Sequence, residues 1–112
     1  MSVKIEEYGN VCVIEVDGDF SAENAAAVRT AFDQCTENRR IVDFVMDFGK
    51  CPFIDSEGLE TLLAMKRRSE DMFGQVKLAK VDDSCRTIFQ LTRLEPRFEL
   101  YDDLHAAMKT IR

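Results

Sequence analysis

Ile41-Val42-Asp43-Phe44-Val45-Met46-Asp47-Phe48, then the loop Gly49-Lys50-Cys51-Pro52-Phe53-Ile54, then Asp55-Ser56-Glu57-Gly58-Leu59, is the stretch from which the fold of this chain is read. The first eight residues are mostly apolar and rich in strand formers, the pattern of a central strand buried on both faces of a parallel sheet. Gly49 and Pro52 mark a loop. A helix is predicted from Asp55 to Met72 with Leu59, Leu62 and Leu63 turned inward. With Asp55 as N-cap, Ile54 precedes the cap and Leu59 is the fourth helical residue, the two positions of a hydrophobic staple. Ser56 is then the first helical residue, and Glu57 the second, where its charge suits the positive end of the helix dipole.

Upstream, residues 3–7 and 11–16 read as strands joined at Tyr8-Gly9-Asn10, an antiparallel hairpin. Gly18-Asp19-Phe20 breaks the second strand. Ser21 reads as a good N-cap for a helix over 21–37, whose apolar face carries Ala25, Val28, Phe32 and Cys35. Downstream, Gly74 is expected in the left-handed conformation at the C-terminal end of the second helix. A strand follows over 76–81. Asp82, Asp83 or Ser84 caps a helix over 83–93 with Cys85, Ile88, Phe89 and Thr92, and Pro96 forbids its continuation. A last strand, 98–101, leads to a helix over 102–111, opened by Asp102 or Asp103, with Leu104, Ala107, Met108 and Ile111 on one face. The order ββαβαβαβα predicts one α/β domain over residues 1–112, a mixed, mostly parallel sheet of about five strands with four helices.

Composition narrows the function. In 112 residues, 15 Lys+Arg stand against 21 Asp+Glu, a formal net charge of −6. That balance argues against a nucleic-acid binder, which shows a basic patch or stripe, and against adhesion to anionic lipid. No stretch approaches the apolar length of a membrane span. The start lacks the apolar segment of a secretory signal, so a cytoplasmic protein is expected. Cys12, Cys35, Cys51 and Cys85 contain no CxxC spacing, and His105 stands far from all four. Neither a zinc site nor a disulfide framework is expected, and no cofactor is implied. Cys12 and Cys35 fall on apolar periodic positions, as small core residues do. Cys51, beside Lys50 and Pro52, reads as an ordinary loop cysteine rather than a reactive thiol.

In open α/β sheets ligands gather at the carboxyl ends of the strands. Asp47 and the turn Asp55-Ser56-Glu57-Gly58 lie there. Two readings of Ser56 stand side by side. It is an alternative cap residue, or it is a phosphate acceptor whose hydroxyl faces solvent while the Asp55 carboxylate takes an orphan N–H. A phosphate at a helix N-terminus meets free N–H groups and a favourable dipole, and its charge of about −1.5 to −2 transforms the surface a partner sees. Hydrolytic chemistry at Ser56 finds no support, since no G-x-S-x-G surrounds it and His105 sits in the last helix. Asp47 with Asp55 reads as a strand-end carboxylate plus a cap rather than an acid/base or magnesium pair.

The run from Val45 to Leu59 resembles the signature of STAS domains, most nearly that of the bacterial anti-sigma factor antagonists. Their pattern is an apolar strand ending in Asp-Leu, a short loop, an aromatic, an aliphatic, then Asp-Ser-Ser/Thr-Gly-Leu. The element order, Gly18 before the first helix and Gly74 before the next strand extend the resemblance over essentially the whole chain. It implies partner switching without catalysis. The unphosphorylated protein binds a serine kinase that doubles as anti-sigma factor, phosphorylation of the serine after the Asp releases it, and a metal-dependent serine phosphatase resets it. Carried over, Ser56 is the acceptor, and Asp55, Glu57, Gly58 and Ser21 belong to the partner surface of a chain that is monomeric when free. Glu57 departs from the usual Ser or Thr, and Ser21 from a common Asp. The alternative within the same family is an interaction subunit of a lipid-transport or signalling assembly that works without phosphorylation.

Overall fold

The computed structural model describes residues 2–111; of the expected span 1–112, residues 1 and 112 lie outside the described residues. The hairpin is β1 (Ser2–Tyr8) and β2 (Val11–Asp17), then come α1 (Ala22–Arg39), β3 (Asp43–Lys50), α2 (Ser56–Asp71), β4 (Val76–Ala79), α3 (Asp83–Leu91), a single 3-10 turn (Glu95–Arg97), β5 (Leu100–Tyr101) and α4 (Leu104–Met108). The five strands lie in the sheet in their chain order. β1 pairs antiparallel with β2, and every later pairing is parallel. The expected α/β architecture and element order are therefore the observed ones.

Both faces of the sheet are covered, unequally. Cys12, Ile14, Val16, Phe44, Met46, Phe48 and Leu78 point into the larger core, under Val28 and Phe32 of α1, Leu62 and Met65 of α2, and Phe89 of α3. Val11, Val13, Val45 and Ala79 point the other way, against Ala107 and its neighbours on α4. β3 is buried on both faces from Phe44 to Phe48, which is why its sequence shows no alternation. Phe32 stacks at a tilt on Phe44 with ring centroids 4.6 Å apart. β1 is different: it lies at the sheet edge and only Val3 among its residues is partly buried.

Several boundaries differ from the sequence reading, each for a physical reason. β3 begins at Asp43 rather than at 41 and runs on through Gly49 and Lys50. Ile41 is buried not as a strand residue but as the cap that follows α1: Arg40 turns left-handed (φ 55°) and the Ile41 N–H donates to Cys35 O at 3.0 Å. At the far end Lys50 pairs with Asp17 across a register shift in β2, so the glycine expected to open a loop lies inside the strand. Gly74 is not the left-handed residue at the end of α2. Phe73 is, at φ 65°, with Phe73 N–H donating to Glu70 O (3.0 Å) and Gly74 N–H to Ser69 O (2.7 Å). Gly74 has a different task, because a Cβ there would lie 2.0 Å from Val42 O. Asp82 caps α3 and Asp103 caps α4, each accepting a backbone N–H three residues on. β4, β5, α3 and α4 are all shorter than expected, with α4 ending at Met108.

Candidate functional site: the rim at the start of helix α2

Two loops build the rim at the carboxyl ends of β2 and β3. Gly18 N–H donates to Lys50 O (2.9 Å), Phe20 N–H to Phe53 O (2.8 Å) and Asp55 N–H to Phe20 O (3.2 Å). Phe20 and Ile54 form a parallel bridge beyond the ends of the strands. Sequence-distant segments 18–21 and 51–55 are thereby fixed side by side. Beneath them the Phe20 and Phe48 rings meet at 5.8 Å, and both are fully buried, as is Ile54.

Gly58 closes the assembly from below. A Cβ at this position would sit 2.3 Å from Phe20 O and 3.0 Å from the Phe20 ring, so only glycine lets the first turn of α2 approach the 18–21 loop this closely. Gly58 is buried. It therefore has no side chain to offer a partner, and its contribution to the expected partner surface is to place its neighbours.

Asp55 is the N-cap of α2: its backbone is extended (φ −100°, ψ −173°) and its Oδ1 accepts the Gly58 N–H at 3.0 Å. This is the geometry that frees Ser56. Ser56 and Glu57 are exposed at the first two helical positions, while Leu59 behind them is buried with Ile54 as the staple requires. The first turn thus presents a solvated hydroxyl at the positive end of a 16-residue helix, flanked by two carboxylates.

Ser21 reaches the same rim but not in the expected role. It sits at the N-cap position of α1 with an extended backbone, and its carbonyl accepts Ala25 N–H at 2.7 Å, yet its side chain makes no capping bond. The order of this loop comes instead from buried Asn24, whose Nδ2 donates to Asp19 O at 2.8 Å. Asn24 carried no signal in the sequence, because an Asn three residues into a helix is an ordinary polar residue until the loop it ties is seen.

Two further residues, Phe53 and Arg29, lie at this rim. Phe53 is the aromatic of the loop. Its carbonyl is used twice, by Phe20 N–H and by the Cys51 thiol (3.3 Å), but its ring is 48% exposed beside Asp55 and Ser56. Arg29 on α1 donates to Thr61 Oγ1 of α2 at 3.4 Å, across a cavity of about 390 Å³ lined also by Ala22, Ala25, Glu57 and Glu60. Small alanines on α1 open this depression between the first turns of the two helices.

The remaining expected groups are structural. Asp47 is buried, its Oδ1 accepts Gly49 N–H at 2.9 Å and its Oδ2 lies 3.9 Å from Lys80 Nζ, so it braces the end of β3 instead of facing the rim. Cys51 lies in the loop, as expected, and is buried there. The Cys85 thiol donates to Cys51 O at 3.3 Å. A hydrogen bond from Cys85 draws the Cys51 thiol down from its ordinary value against the opposing effect of burial. The Cys51 side chain beside it, with burial, pushes the Cys85 thiol far up. Cys12 and Cys35 face each other in the larger core, sulfur to sulfur 3.4 Å, as small buried residues. Among the described residues no group of three or more His, Cys, Asp or Glu could hold a metal ion, and no helix is long and apolar enough to cross a membrane.

The sequence model of the STAS domain matches residues 2–107. The anti-sigma F factor antagonist of Paenibacillus polymyxa is 18% identical over 103 residues, covering 92% of this chain and 88% of that protein. Among solved structures, the anti-sigma factor antagonist SpoIIAA in its unphosphorylated form superposes with a TM-score of 0.86 at 19% identity, over 97% of this chain and 95% of its own. The Bacillus cell fate determinant SpoIIAA in the phosphorylated form gives 0.79 at 20% identity, over 99% and 100%.

Proposed function

This chain belongs to the STAS domain family, and we propose that it is an anti-sigma-factor-antagonist-like switch: unphosphorylated, it binds a cytoplasmic serine kinase that doubles as anti-sigma factor, and phosphorylation of Ser56 releases it. The observation that carries the reading is the division of labour at α2. Asp55 satisfies the Gly58 N–H, so the Ser56 hydroxyl is exposed and free to receive a phosphate. That relatives are named as antagonists, and that one is described in a phosphorylated form, supports the same reading.

The energetics favour a switch at the interface over one in the fold. On the free protein the phosphate lies in water at the helix N-terminus, where the dipole favours it and salt screens its repulsion from Asp55 and Glu57. Against a bound partner the same charge is desolvated, and an unpaired buried charge costs several kcal/mol. A loss of about 3–4 kcal/mol is a factor of several hundred in affinity, enough to release a sub-micromolar partner. Asp55 and Glu57 flank the acceptor in the chain, Ser21 lies on the neighbouring loop bridged through Phe20 and Ile54, and the exposed Phe53 side chain is the apolar anchor of the proposed interface. A metal-dependent serine phosphatase would restore the free hydroxyl.

The test has two stages. Incubation with ATP and host lysate is expected to add about 80 Da, a phosphate, at Ser56 and not in Ser56→Ala. Calorimetry at physiological salt then compares both forms against the kinase. Phosphorylated protein should bind at least about a hundredfold more weakly. Equal affinity of the two forms overturns the proposal. Glu57 favours a second reading, a family module that binds without phosphorylation, because its carboxylate adjoins the acceptor. A stable complex with no adduct under any condition selects that reading, whereas Glu57→Ser becoming the better kinase substrate supports the first.

A further inference from the structure

The sheet has two edges, and they are not alike. β5 contributes two residues to its edge, whereas β1 contributes seven, all but Val3 exposed. The hairpin settles which groups of β1 face outward. Tyr8 pairs with Val11 around the two-residue turn Gly9-Asn10, and Gly9 holds φ 62°. In such a turn the flanking pair is mutually hydrogen-bonded, and bonding then alternates along the ladder. The main-chain groups of Ser2, Lys4, Glu6 and Tyr8 therefore point to β2, and those of Val3, Ile5 and Glu7 point away from the sheet, unpaired among the described residues.

The side chains repeat that symmetry. Lys4 and Glu6 stand either side of Ile5 on the face opposite α1, and Ile5 itself is 41% exposed. Lys4 makes no ion pair among the described residues, although Glu15 is its cross-strand neighbour; Glu15 lies 3.7 Å from Lys50 instead. An antiparallel strand laid against β1 with its own Ile5 opposite Ile5 matches the outward main-chain groups and the Lys4 and Glu6 charges, and it sets Val3 opposite Glu7, whose carboxylate is held by Arg39. Glu6, which accepts from the Tyr8 hydroxyl, keeps a free side for Lys4. Val3, Ile5 and Glu7 of the two strands exchange about six main-chain hydrogen bonds. Lys4 of each copy faces Glu6 of the other, twice, and the two Ile5 side chains meet at the dyad. Charges that are their own complement about one residue suit the isologous pairing of a second copy of this chain.

We propose that the β1 edge joins two copies of this chain, antiparallel about Ile5, so that two five-stranded sheets become continuous. Edge charges ordinarily discourage such pairing. Here they permit one register: sliding by two residues brings Lys4 opposite Lys4 or Glu6 opposite Glu6 and loses the Ile5 contact. The side-chain area is small, so the dimer belongs to the weak, transient class. The rim around Ser56 lies off the β1 edge, so the dimer stands or falls independently of the switch.

Sedimentation equilibrium of the whole chain up to about 1 mM, a range that detects millimolar self-association, tests it. The wild type is expected to form dimers and nothing larger. Lys4→Glu alone and Glu6→Lys alone should each weaken association at least about tenfold, since like charges then oppose across the dyad. An equimolar mixture of the two variants should recover it, because each supplies the charge the other lost. Ile5→Pro should abolish the dimer while thermal melting shows the monomer folded, the lost N–H being one that β2 does not use. A wild type that stays monomeric throughout overturns the proposal, as does a dimer indifferent to both reversals, or variants that fail to complement each other.

Discussion

Helices α1 and α2 begin side by side on one rim, each after an apolar residue, Phe20 or Ile54, that bridges to the other, yet their first turns are closed in different ways. At α2 the cap is a side chain: the Asp55 carboxylate takes the Gly58 N–H. At α1 the cap position is held by backbone alone, with Ser21 contributing its carbonyl and no side-chain bond, while Asn24 ties the preceding loop. A serine at a helix start is thus not one thing. Ser21 holds the cap position without the side-chain bond. Ser56 is one residue past a position already filled, which leaves its hydroxyl to solvent. The structural difference between the two serines comes from what precedes them, Phe20-Ser21 against Ile54-Asp55-Ser56.

Both helix starts rest on one residue, Phe20. Phe20 is fully buried, its ring meets Phe48, and its main chain bonds to Phe53 and Asp55. Phe20→Ala should cost about 3–5 kcal/mol in denaturant unfolding. A cost below about 1 kcal/mol would mean that the aromatic ring does not anchor the rim and that the main-chain bonds alone hold it.

Gly58→Ala comes next. Helix propensity alone would make this change stabilising by about 1 kcal/mol. The new Cβ, however, would meet the Phe20 carbonyl at 2.3 Å, a backbone atom that cannot swing aside like the end of a side chain. Overpacking of this kind costs about 1–3 kcal/mol, so the net change should be destabilising. A stabilised variant would show that the two loops separate freely.

Asp55 gives the third contrast. Asp55→Ala should cost about 0.5–2 kcal/mol and Asp55→Asn distinctly less, because Asn caps about as well. If thermal and chemical melts register neither change, Asp55 does not occupy the Gly58 N–H and the argument for a free Ser56 hydroxyl fails with it.

How far this rim could be read from sequence depends on which kind of bond makes it. The start of α2 was legible, because Ile54, Asp55 and Leu59 are local signals: cap and staple lie within one turn of each other. The buried strand before it was legible from unbroken hydrophobicity. Illegible were the features set by distant contacts. Gly58 and Gly74 are glycines for the sake of Phe20 and Val42 on other elements, not for their own torsions. Phe73 accepts the left-handed position that Gly74 seemed made for, because Gly74 must pass under Val42. Gly49 looked like a loop and is strand, since Lys50 has a partner in Asp17. Nothing in the linear pattern near Ser21 reveals that Asn24, not Ser21, ties the loop before α1.

Ser21 supplies the smallest and sharpest test. Serine leads the ranking of N-cap residues, and its loss from a working cap costs about 1 kcal/mol. In this chain its backbone has the cap conformation and its carbonyl bonds Ala25, but both survive truncation to alanine because neither involves the side chain. Ser21→Ala should therefore change the unfolding free energy by less than about 0.5 kcal/mol, the range of surface substitutions that break no specific contact. Asn24→Ala, which removes the bond from the buried Asn24 amide to the Asp19 carbonyl, should cost more, about 0.5–1.5 kcal/mol, if the loop is tied as the geometry indicates. The pair is measured best together, by urea titration under identical conditions. A Ser21→Ala cost equal to that of Asp55→Ala would make the two helix starts equivalent and remove the distinction on which the assignment of Ser56 rests.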